Sequence, residues 1–103
     1  MAKTITVEEF SALLQKAQYA IVGGYEGIYK IDDGYTSKDY PADTWALVNM
    51  EDKSDVIVLA EYLDSPEITI EYDMFYGTPI FTLDGAISWT DAIEITLLKT
   101  IKL

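Results

Sequence analysis

The chain has 103 residues, and its 18 acidic side chains against 7 lysines give a net charge of −11. It holds no cysteine, histidine or arginine. Disulfides, thiolate metal sites and cysteine nucleophiles are therefore excluded, and the commonest general acid–base and metal ligand is missing. Without arginine the usual bidentate reader of phosphate is absent, and the acidic balance opposes direct contact with nucleic acid or an anionic membrane. Half of the residues are hydrophobic, enough for the packed core of a single domain spanning 1–103.

The first predicted element is a helix over residues 7–18. Thr6 and Glu9 have capping-box spacing, with Ile5 and Phe10 placed as a hydrophobic staple. Phe10, Leu13, Leu14 and Ala17 form one apolar stripe, and Glu8 and Glu9 sit where the helix dipole favours them. The N-terminus lacks the basic start and apolar run of a signal peptide. No segment approaches the roughly 18 apolar residues of a membrane span. A cytoplasmic protein is expected, in the host cell if the chain is phage-encoded.

After residue 18 the period changes to two. Residues 19–22 and 27–31 read as β-segments separated by Gly23-Gly24, a tight hairpin or a bulge. Asp32-Asp33-Gly34 reads as a turn that opens a loop of about ten residues through Pro41. It lacks the alternating acids of a calcium loop, and the glycine-rich stretch at 23–27 lacks the following helix of a phosphate cradle. Residues 45–50 and 56–62 form a hairpin with a charged tip, and 68–74 alternates cleanly. Residues 80–83 follow, then a short turn at 88–91 and a long final strand. The expected fold is α+β, one N-terminal helix packed on an antiparallel β-sheet of five to six strands.

No serine lies in a nucleophile-elbow context and no carboxylate pair lines a recognisable cleft, so no enzyme, cofactor or metal is expected. The informative feature is acid on one strand face. Glu67, Glu71 and Asp73 alternate with Ile68, Ile70 and Tyr72, and same-face neighbours on a strand stand about 6.6–6.8 Å apart. Such a row offers a basic groove a spacing broadly like that of a phosphate backbone. Asp64 leads into it, while Asp52, Asp55 and Glu61, with Glu51, Asp84 and Glu94, extend it if their strands are neighbours. Solvated faces usually mix signs, and here Lys53 is the only interspersed cation. Tyr35, Tyr40 and Tyr76, in polar surroundings, are candidate interface anchors.

The expected function is protein binding by a small acidic inhibitor of phage-type counter-defence (anti-CRISPR or anti-restriction). By analogy of size and charge, it would block the nucleic-acid-binding surface of an effector or nuclease. The expected partner is a basic protein, the expected state a monomer or small homo-oligomer. The alternatives are an assembly subunit pairing through a sheet edge, and a small regulatory or immunity-type module.

Overall fold

In the computed structural model, residues 3–62, 67–72, 79–84 and 92–99 are described. Asp64, Asp73, Tyr76 and the turn expected at 88–91 lie outside them, as does the end of the expected final strand beyond Lys99. The first element is a strand, β1 (Lys3–Thr6), that runs directly into the helix α1 (Val7–Lys16). Thr6 therefore serves twice. Its backbone closes the β1 ladder, and its hydroxyl accepts from Glu9 N–H at 3.1 Å while Glu9 Oε1 accepts from Thr6 N–H at 3.2 Å. The capping box is as the spacing predicts. The helix ends two residues earlier than expected because the sheet captures Gln18, which donates to Leu98 O and accepts from Ile31 N–H, both at 3.0 Å.

The remaining strands are β2 (Tyr19–Val22), β3 (Tyr29–Tyr35), β4 (Thr44–Asn49), β5 (Val56–Val58), β6 (Glu67–Tyr72), β7 (Pro79–Leu83) and β8 (Ile93–Leu98). They form one antiparallel sheet of 8 strands in the order β1-β6-β7-β8-β2-β3-β4-β5. The fold is α+β with one helix, but the sheet is larger than the five to six strands expected. The short β1 is hidden in the sequence by its role as the helix entry.

Two further corrections have local causes. Asp32-Asp33-Gly34 lies inside β3 rather than opening a loop. Its Asx turn, Gly34 N–H onto Asp32 Oδ1 at 2.8 Å, is absorbed as a register shift between Asp32 and Tyr35, whose partners on β4 are Ala46 and Thr44. The segment expected as a strand over 56–62 leaves the ladder after Val58 and turns into a 3-10 helix, Leu59–Tyr62.

Strand alternation sorts the side chains into two faces. Ile68, Ile70, Phe81, Leu83, Ile93, Ile95, Val22, Tyr29, Leu47 and Ile57 point to the core. There Phe10 and Leu14 of α1 pack over the β1–β6 side, with the Phe10 and Phe81 rings 5.2 Å apart, and Leu59 of the 3-10 helix joins the same cluster beside β4. Burial of each such side chain is worth about 1.5–3 kcal/mol, which fixes the helix on this face. The other face carries Thr69, Glu71, Thr82, Glu94, Ile21 and Lys30.

Candidate functional site

The antiparallel registers bring alternate strand ends together. The C-terminal ends of β1, β7, β2 and β4 and the N-terminal ends of β6, β8, β3 and β5 share one end of the sheet. Glu8 and Glu9 arrive there in the first turn of α1. Asp84 follows β7, Glu94 is the second residue of β8, Glu26 lies in the β2–β3 turn, and Glu51, Asp52 and Asp55 lie in the β4–β5 turn. All of these are exposed except Asp55, which is half-buried. Lys53 lies in these turns and Lys30, the second residue of β3, stands close to them, whereas Lys16, Lys38 and Lys99 lie at the opposite end among other acids.

Eight strands at about 4.8 Å spacing make the rim about 34 Å wide, in keeping with molecular extents of 40 × 35 × 25 Å. Its two turns on the β5 side, β2–β3 and β4–β5, are locked together by one buried side chain. Asn49, only 8% exposed, ends β4 opposite Tyr29. Its Nδ2 donates to Glu26 O at 3.1 Å and to Asp55 Oδ2 at 3.3 Å, and its Oδ1 accepts from Glu51 N–H at 2.8 Å and Asp52 N–H at 3.2 Å. The fully buried Tyr29 donates its hydroxyl to the same Asp55 Oδ2. Burial, then this hydrogen bond, pushes the Tyr29 pKa up.

Gly27 makes the close approach possible. Its φ is +88°, and a Cβ there would stand 3.3 Å from Asn49 Nδ2. Ser54 donates from its hydroxyl at 2.6 Å and its N–H at 3.1 Å to Asp52 Oδ1, which holds that carboxyl below the usual range. Two large apolar side chains stand out beside these acids, Tyr25 (41% exposed) and Met50 (46% exposed). Tyr25 rests edge-on against Tyr29, ring centroids 6.4 Å apart.

The sequence-predicted residues divide between the two ends. Asp52 and Asp55 belong to the rim, and Glu67 reaches the same end through its backbone pairing with Thr6. Glu71 is exposed at the far end of β6, opposite Ile80. Glu61 sits in the 3-10 helix, where Tyr40 donates its hydroxyl to Oε1 at 3.2 Å. Burial first, then Glu61, raises the Tyr40 pKa. Tyr35 pairs with Thr44, also away from the rim. β4 and β5 are not neighbours of β6, so Asp52 and Asp55 do not extend the β6 row. They meet it only at the shared end. Asn49 and Met50 were missed, having no sequence signal beyond ending an apolar run.

Among the described residues no group of acids is arranged to hold a metal ion, and no described helix is long and apolar enough to cross a membrane. Comparison with protein-family models, curated proteins and solved structures finds no match to this chain.

Proposed function

We propose that this chain is a non-catalytic protein inhibitor that places its acidic rim against the basic, nucleic-acid-binding surface of an effector or nuclease, in the manner of phage counter-defence. The observation that carries the reading is the gathering of Glu8, Glu9, Glu26, Glu51, Asp52, Asp84 and Glu94 at one end of the sheet, where Lys53 and the nearby Lys30 are the described cations. With Asp55 this is about one carboxylate per 4 Å of rim, against one phosphate per 3.4 Å of helix axis for each DNA strand. A concentration of charge of one sign steers association with a basic surface. Tyr25 and Met50 supply apolar area beside it, the kind of residue that anchors interfaces. Clamping both turns through Asn49 lowers the ordering cost of binding.

The reading is tested by immobilising the protein and challenging whatever it retains from a cell extract. A retained basic protein should be released by about 0.5–1 M salt, which screens surface charge, and by short duplex DNA. The immobilised chain itself should be a monomer or small oligomer by native mass. Retention indifferent to DNA, or self-assembly into rings or tubes, would instead favour an assembly subunit working through the β1 or β5 edge.

A further inference from the structure

On the face of the sheet turned away from α1, β3 and β4 form an open groove of about 680 Å³, lined by Lys30, Asp32, Asp33, Val48, Met50 and Lys53. Its volume falls within the roughly 300–1,000 Å³ typical of small-ligand sites. The poles of the groove differ in sign. Lys53, from the β4–β5 turn, and Lys30 mark the end nearer the rim, and Asp32 and Asp33 mark the other end. Val48 pairs with Lys30, and Met50 lies one same-face step beyond it, so the apolar floor belongs to the basic pole. Asp32 is held by Gly34 N–H on Oδ1, leaving Oδ2 available.

We propose that this groove binds a small zwitterion with an apolar group beside its carboxylate, such as a peptide of two or three residues with free termini. Lys30 and Asp32 are two residues apart on one strand face, about 6.6–6.8 Å. An extended peptide advances about 3.3–3.6 Å per residue, so two or three residues carry an ammonium and a carboxylate across that separation. The carboxylate meets Lys30 and Lys53, the C-terminal side chain lies on Val48 and Met50, and the ammonium meets Asp32 and Asp33. The groove shares Met50 and Lys53 with the rim but does not rest on the rim reading.

The test uses the free tripeptide glycyl-glycyl-leucine with its N-acetylated and C-amidated forms, titrated into the whole protein and followed by amide chemical shifts. Binding with a dissociation constant of about 1 mM is expected, with shifts centred on Lys30, Asp32, Val48 and Met50. Either blocked form should bind about tenfold more weakly. Asp32→Asn should abolish the discrimination against acetylation, and Lys30→Gln with Lys53→Gln the discrimination against amidation. Reversing Glu26 and Glu94 to Lys should leave peptide binding unchanged, which separates the groove from the rim. No shift up to about 20 mM, twenty times the expected constant, equal binding of all three peptides, or shifts centred elsewhere would each overturn the proposal.

Discussion

Asn49 decides more than any other single side chain near the rim, because it satisfies two backbone N–H groups and one carbonyl while holding Asp55. Truncating it removes the partner of each of these part-buried groups at once. Asn49→Ala should therefore cost about 2–3 kcal/mol in chemical denaturation. Amide exchange should quicken in both the 23–28 and 50–55 turns, since both lose the same tie. Tyr29→Phe removes one charge-assisted hydrogen bond to Asp55, about 1–2 kcal/mol at neutral pH. The sign of its pH dependence follows from its raised pKa. The folded state holds the phenolic proton more tightly, so this contribution is complete below the unfolded value near 10 and is lost as pH rises through the folded value. The alkaline fall in stability above about pH 10 should be shallower in Tyr29→Phe. It should not vanish, because Tyr40 is shifted in the same direction. Asp52 has the opposite sign. Its lowered pKa gives a contribution present above the unfolded value and lost as acid protonates it. None of this network was legible in the sequence, since an asparagine ending a strand looks like any turn residue until its neighbours across the sheet are known.

At the scale of elements, local chemistry was readable wherever it acts within a few residues. Thr6 and Glu9 predicted the helix start, and Thr6→Ala should cost about 1 kcal/mol through the lost cap. The alternation of Ile68 and Ile70 with Thr69 and Glu71 predicted β6 and its faces. Local signals failed where a ladder overrode them. Asp-Gly is a strong turn signal, yet pairing of Asp32 and Tyr35 with β4 keeps the segment in the sheet as a bulge. β1 was invisible because four residues that also cap a helix carry no separate strand pattern. The glycine-rich 23–27 stretch, expected as a tight hairpin or a bulge, is the turn between β2 and β3, and its two left-handed glycines differ in consequence. Gly24, at φ +83°, faces open space, so Gly24→Ala carries backbone strain alone, of order 1 kcal/mol. Gly27→Ala adds the close approach to Asn49 and should lower the melting temperature further than Gly24→Ala does. Equal melting temperatures would remove Gly27 from the clamp.

The rim belongs to the whole molecule. Glu8, Glu26, Glu51 and Glu94 are far apart in the chain and meet only because strand order and antiparallel direction bring alternate strand ends to one side. Composition announced the charge and its one-sidedness, but sequence gave no strand order, so the acid was sought along β6 instead of across the strand ends. On this account, position of charge matters more than amount. Two triple variants raise the net charge equally, Glu26→Lys with Glu51→Lys and Glu94→Lys at the rim, and Asp43→Lys with Glu61→Lys and Glu71→Lys at the opposite end. The most direct measurement is the affinity of each, and of the unaltered protein, for one DNA-displaceable basic partner. The rim variant should lose about 100-fold or more, roughly 1 kcal/mol for each charge contact plus the repulsion introduced. The opposite-end variant should stay within about threefold of the unaltered protein. Equal losses in both, or a loss confined to the variant carrying Glu71→Lys, would contradict the account and return the contact to the β6 row.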